Sequence, residues 1–188
     1  MKTHIILGLI LSLFLSNSAL AALYLEPTGG YSFGKIGTGQ TMMGTSYGGR
    51  LGVSKLGFHM GVDYLASNMS VNDSTKDADG EKMSDGDLKM TESGGFVGFA
   101  FPMFLRVYAT YIFSAQAEIN KIGYEFKDGK GMKYGISFTS IPFVNINFEY
   151  RNGKFGKVED SDTGATANKK IGEDYEAYMV SLSIPISI

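Results

Sequence analysis

Two histidines and no cysteine among 188 residues leave this chain few groups able to act as a nucleophile or general base. His4 lies in the N-terminal apolar stretch, so His59 is the imidazole to weigh. A hydrolase pair presented on one strand face would need a serine two residues on, and Gly61 stands there. His59 therefore reads as a packing residue. The missing cysteines exclude disulfides, thiolate metal sites and an acylated cysteine.

Residues 72–87 are acidic, with Asp73, Asp77, Asp79, Glu81, Asp85 and Asp87 against Lys76 and Lys82. The run Asp77-Ala78-Asp79-Gly80 has some of the features of a calcium loop. Placing Gly80 sixth puts Thr75 first and Gly86 twelfth, without the bidentate acid; placing Gly86 sixth puts Met83 third. Both registers fail, and the segment reads as a solvated loop. No catalytic, cofactor-binding or metal-ligating residue is assigned, and the chain is expected to be a non-enzyme without a cofactor.

The remaining candidate chemistry is ionic. Glu26, Asp63, Glu92 and Glu149 stand against Arg50, Arg106, Lys133 and Arg151, all on one parity of segments that alternate with period two. From Val144 to Tyr150 the even residues Val144, Ile146, Phe148 and Tyr150 are apolar, while Asn145, Asn147, Glu149 and Arg151 lie between and beyond them. The same segregation recurs in Phe58, Met60, Val62 and Tyr64, in Leu105, Val107, Ala109, Tyr111 and Phe113, and in Tyr178, Val180, Leu182, Ile184, Ile186 and Ile188. The second face carries Gly, Ser, Thr and Asn with few charges, too little to solvate a broad exposed sheet, so the apolar face is expected to meet lipid. Four acids and four bases on the inner face then suggest paired contacts filling a narrow lumen rather than an open channel.

Strands are expected near Leu23–Gly34, Gly44–Ser54, Gly57–Leu65, Glu92–Phe101, Leu105–Ala115, Met132–Ser140, Val144–Arg151 and Tyr175–Ile188. Connections then alternate between long (35–43, 66–91, 116–131, 152–174) and short, with all long ones at one end. This reads as an all-β, eight-stranded antiparallel up-and-down transmembrane β-barrel with tight turns on the periplasmic side. Parity demands an even turn near Lys55-Leu56 and odd ones at Pro102-Met103-Phe104 and Ile141-Pro142-Phe143. If Val53 faces Phe58, Arg50 lies diagonal to Asp63; if Ser140 faces Val144, Lys133 lies diagonal to Glu149 and opposite Arg151. That like-charge pair would need relief from solvent and Glu92 at the outer rim. Pro27 and Pro185 each delete a ladder donor in the first and last strands, which predicts a bulge or a frayed seam. Tyr31, Phe33, Tyr47, Tyr111 and Tyr134 would form an outer aromatic girdle, with Phe58, Phe101, Phe104 and Phe143 forming the inner one.

Residues 1–21 read as a secretory signal: Lys2 and His4, the apolar core 5–15, and Ala19-Leu20-Ala21 before a cleavage site at Ala22. An apolar core that short cannot cross about 30 Å of hydrocarbon as a helix. Residues 22–188 form one domain, since a sixteen-stranded porin at about 10 residues per strand would leave nothing for loops. The formal charge of −2, one unit more negative without Lys2, argues against a nucleic-acid partner.

The opening Leu23-Tyr24-Leu25-Glu26-Pro27 followed by Gly30-Tyr31, the strand parity, the loop asymmetry and the apolar last strand resemble the small outer-membrane barrels of Gram-negative bacteria. That group is typified by the OmpA membrane domain, OmpX and the opacity-type proteins. The resemblance implies outer-membrane lipid and lipopolysaccharide as surroundings, the barrel assembly machinery as a partner in biogenesis, a monomer, and a structural or surface-contact role. It also implies that a C-terminal aromatic residue contributes to the assembly signal, where this chain has Ile188. Rival readings are a loop-mediated adhesin using 66–91 and 152–174, a lipid A-modifying barrel enzyme, a small pore, and a soluble barrel with its apolar face inside.

Overall fold

The computed structural model describes residues 21–37, 40–72, 86–102, 104–119, 124–160, 166–167 and 173–188. The proposed signal, apart from Ala21, and the calcium-like run lie outside them. Strands occupy β1 (Ala22–Ile36), β2 (Gln40–Lys55), β3 (Phe58–Asn72), β4 (Gly86–Phe101), β5 (Leu105–Ile119), β6 (Tyr124–Ile141) and β7 (Val144–Phe155). They are followed by β8 (Lys157–Asp160), β9 (Thr166–Ala167), β10 (Glu173–Ser183) and β11 (Ile186–Ser187). Antiparallel pairing runs β5-β4-β3-β2-β1-β10-β7-β6, and β6 returns to β5, so eight walls close a barrel with no helix among the described residues. Closure satisfies every wall's backbone polar groups and removes free edges. The small strands β8 and β9 extend the outer end of β6, and β11 completes the seam with β1.

Each wall is longer than its apolar stripe predicts, because the chemistry of the two faces exchanges partway along. On β3 the outward residues run Phe58, Met60, Val62 and Tyr64, then Asn68, Ser70 and Asn72. Its inward residues run His59, Gly61 and Asp63, then Leu65, Met69 and Val71. On β10 the outward sequence Leu182, Val180, Tyr178 gives way to Glu176 and Asp174, while Ser183 and Ser181 inside give way to Met179, Ala177 and Tyr175. Parity is unbroken across these exchanges. An expectation tuned to apolar-outward alternation therefore ends the strands too early: 66–72, 86–91, 116–119 and 124–131 are wall rather than loop. Beyond the exchange, Ile36, Met42, Met69, Leu88, Ile112, Ile119, Phe126 and Phe155 belong to one buried apolar cluster, so that part of the barrel is packed like a water-soluble one.

The short turns adjust the registers. Lys55 pairs with Phe58 and Val53 with Met60, so the first turn is Leu56-Gly57 and Arg50 lies directly opposite Asp63 rather than diagonal to it. Both turn residues are left-handed, at φ 51° and 82°, as a two-residue hairpin turn demands, and Gly57 supplies the conformation freely. Phe101 pairs with Leu105 across the expected three-residue connection. Ile141 pairs with Val144, leaving the two-residue turn Pro142-Phe143; the odd residue is absorbed by a register shift after Phe138. Lys133 still faces Arg151, as the parity argument requires.

The proline seam is neither bulged nor frayed. Thr28↔Ser183 and Leu25↔Ile186 keep one register across Pro27 and Pro185. Ile184 N–H donates to Pro27 O at 3.1 Å, and Leu23 and Ile188 exchange two bonds at 2.8 and 3.0 Å. Leu56, Phe104 and Phe143, one in each short turn, are all held left-handed, at φ 51°, 63° and 67°; in Leu56 an exposed, branched apolar side chain is kept where that conformation costs about 1–2 kcal/mol. Replacing it with Asn, which tolerates that conformation, should raise the unfolding free energy by about 1 kcal/mol in denaturant titrations of the refolded barrel.

Candidate functional site: the charged interior

All eight residues expected to point inward do so, and each is buried. They separate into a six-membered belt and a two-membered pair nearer the apolar cluster. At the centre of the belt is Arg50 of β2, whose guanidinium meets three carboxylates from three walls. Nη1 donates to Glu26 of β1 at 2.9 Å, Nε to Asp63 of β3 at 3.1 Å, and Nη2 to Glu149 of β7. Its carbon lies 3.9 Å from the centroid of the Tyr108 ring, adding a cation–π contact. Tyr108 can lie there because Gly135 of β6 packs beneath its ring; a Cβ at that position would overlap it. The Tyr108 hydroxyl donates to Glu149 at 2.6 Å.

The remaining members lock the belt to other walls. Arg106 of β5 donates to Glu26 at 2.6 Å, to Ser137 at 2.8 Å, and to the Tyr24 hydroxyl, which in turn donates to Glu26 at 2.5 Å. Glu26 also accepts from Ser183 at 2.6 Å and from Asn145 at 3.2 Å. Lys133 of β6 reaches Asp63 at 2.7 Å, across the lumen, and Thr110 adds 3.2 Å. The second group pairs Arg151 of β7 with Glu92 of β4 at 2.5 Å; Tyr175 of β10 donates to the same carboxylate at 2.7 Å. Arg151 also donates to Ser32 at 2.9 Å, the first member of a hydroxyl chain through Ser46 and Ser67. Every wall contributes a group.

Lys133 lies diagonal to Glu149, as expected, while its ammonium reaches across the lumen to Asp63. One expectation is corrected. The Lys133–Arg151 pair is not relieved by solvent at a rim, since both are buried; the two side chains diverge, one to Asp63 and one to Glu92. Sequence reasoning also missed Tyr24, Tyr108, Tyr175, Asn145 and Ser183 as partners. Their signal was available: Tyr24, Tyr108 and Asn145 share the parity of the inward charges on their own strands, and Tyr175 and Ser183 lie on the parity of β10 opposite to its outward Tyr178, Val180 and Leu182.

His59 points inward beside the belt, its ring 4.7 Å from that of Tyr24, and its Nδ1 has no hydrogen-bond partner among the described residues. The space bounded by Tyr24, Arg50, His59, Phe96 and Arg106 holds no water-sized opening. Both expected girdles are outward and exposed, and the outer one has further members: Tyr64, Tyr178 and, opposite Tyr178, the half-buried Tyr150. Phe33, Tyr178, Tyr150 and Tyr134 make one cross-strand row.

No protein-family model matches the chain, and no curated sequence does. Solved structures do. Neisserial surface protein A matches with a TM-score of 0.52 at 16% identity, over 86% of this chain and 96% of that one. Ail, the attachment invasion locus protein of Yersinia pestis, solved with the heparin analogue sucrose octasulfate, matches with a TM-score of 0.53 at 11% identity, over 87% and 99%. The fold is that of the small eight-stranded outer-membrane β-barrels. In such a barrel the row Phe33–Tyr178–Tyr150–Tyr134 marks where the apolar outer band ends.

Arg50 answers three carboxylates, so its removal leaves an uncompensated buried negative charge. Arg50→Met should destabilise the barrel by about 3–5 kcal/mol in denaturant unfolding. Lys89→Met, an exposed change on the outer part of β4, should stay within about 0.5 kcal/mol of the parent.

Proposed function

We propose that this protein is a non-enzymatic, monomeric outer-membrane barrel of a Gram-negative bacterium, exported with residues 1–21 as a cleaved signal, whose interior is sealed. Its role on this reading is structural, or one of surface contact through the outer connections. The carrying observation is the belt itself: Glu26, Arg50, Asp63, Arg106, Lys133 and Glu149 come from six different walls and are joined by buried ion pairs across the lumen. The apolar cluster fills the barrel above it. An ion crossing would have to break several buried charge pairs and then traverse a dry layer, each a cost of several kcal/mol.

Surface contact is favoured by the length of the walls. The strands continue past the outer aromatic row with a packed apolar core and a polar exterior, a rigid extension that carries the outer connections clear of the lipid. The similarity to Ail, whose name refers to attachment, suits such a role. Barrel assembly machinery and lipopolysaccharide are the partners this location implies.

In planar bilayers the purified protein should give no sustained ohmic conductance; large stable steps would contradict the sealed interior. Overproduction should leave the lipid A mass spectrum unchanged, and a new acylation or deacylation product would favour the enzyme reading instead.

A further inference from the structure

The outer face of β10, β7 and β6 combines features that a plain membrane wall does not need. Below the row Phe33–Tyr178–Tyr150–Tyr134, a lipid-facing groove of about 520 Å³ runs between the aromatic rings and Phe148 and Ile136. Phe33 and Tyr178 stack at 5.6 Å and Tyr150 lies 5.2 Å from Tyr178, so one wall of the groove is a continuous rigid ring surface. Above the row, Lys130 of β6 and Lys154 of β7 stand directly opposite each other, both exposed. Like charges in that position are destabilising. Lys154 has only a loose partner, Asp174 at 3.5 Å, with both side chains more than three-fifths exposed. Lys130 makes no ion pair among the described residues.

Their height is informative. Each lysine lies four residues beyond its strand's aromatic marker, Tyr134 or Tyr150. At about 3.3 Å per residue and a tilt of about 45°, that is about 9 Å above the edge of the hydrocarbon, the depth of lipid headgroups. A second lysine pair, Lys127 and Lys157, follows farther out, with Asp128 ion-paired to Lys157 at 2.8 Å. The hydrogen bond from Lys157 holds the Asp128 carboxyl below its usual range, and the charges of Lys130 and Lys127 act in the same direction.

Resting on the outer-membrane reading, we propose that this face binds a phosphorylated glycolipid of the outer leaflet, with acyl chain laid in the aromatic groove and phosphate held between Lys130 and Lys154. A phosphate satisfies two facing ammonium groups at once, which removes the repulsion of the bare pair. The groove lies about four residues back along the same two strands, within reach of one amphipathic molecule, so a lipid fits both halves and a free anion fits one.

The test uses the full barrel in nanodiscs of phosphatidylethanolamine doped with bis-phosphorylated lipid A, with bound lipid counted by native mass spectrometry after gentle release. Heat-modifiable gel migration reports folding, and reaction with a bilayer-phase photolabel reports insertion. The parent should retain lipid A, and K130Q/K154Q should retain at least tenfold less while folding and inserting normally. The control Lys89→Gln, on the outer part of β4, should match the parent. Lipid A stripped of both phosphates should be lost from the parent to the same degree. Equal retention by the double variant, equal retention of the dephosphorylated lipid, or displacement by inorganic phosphate at the lipid's own concentration would overturn the proposal while leaving the barrel reading intact. Failure of the folded parent to react with the bilayer label would overturn both.

Discussion

A strand has two faces, and a barrel that protrudes from a membrane must serve two solvents with the same alternation. This constraint organises the whole molecule. Where the outside is hydrocarbon, the outward residues are Val62, Ile136 and Leu182, and the polar groups that cannot face lipid are turned inward. Where the outside is water, Asn68, Glu176 and Asp174 turn outward and the interior becomes Met69, Ala177 and Tyr175. No change of register is needed on β3 or β10, because exchanging the chemistry of the two parities does what a kink would otherwise do. On β5 the chain instead places Phe113 and Ser114 both outward and shifts its parity there.

The ionic belt follows from that constraint. An interior facing a lipid-bounded wall has no water to lend and little room, so charges inside it must be paired in number and geometry. Arg50 achieves this by directing its three donor nitrogens to three carboxylates, a geometry a lysine could not reproduce. Replacing the belt with well-packed apolar residues could be equally stable on general grounds. What the belt adds is a fixed arrangement of walls: Lys133 to Asp63 ties β6 to β3, and Arg106 to Glu26 ties β5 to β1, across the lumen rather than along the sheet.

Much of this was legible in the sequence, and the limits were physical. Period two fixes the face of a residue, so all eight charged positions, the girdle aromatics and the number of walls could be read directly. It does not fix height or cross-lumen distance, and so it places Lys133 diagonal to Glu149 without revealing the contact to Asp63 on the opposite wall. The first hairpin register depends on whether the turn is Lys55-Leu56 or Leu56-Gly57, a choice decided by the left-handed backbone at Gly57 that alternation does not reveal. Following one chemistry along one parity ends the strands short. The relevant mark was the exchange itself, visible in Tyr64-Leu65-Ala66-Ser67-Asn68-Met69, where the apolar residues pass from even to odd positions.

The placement of the hydrocarbon boundary at the row Phe33–Tyr178–Tyr150–Tyr134 is most directly tested by a carbene photolabel confined to the bilayer core, with labelled sites mapped by mass spectrometry on the refolded protein. Val62, Ile136, Phe148 and Leu182 should be modified, whereas Asn68, Ser70 and Glu176 on the same outward parity, and Asn147 and Ser181 inside, should not. Modification of Asn147 and Ser181 with sparing of Phe148 and Leu182, or labelling that continues unabated through Asn68 and Glu176, would contradict the account.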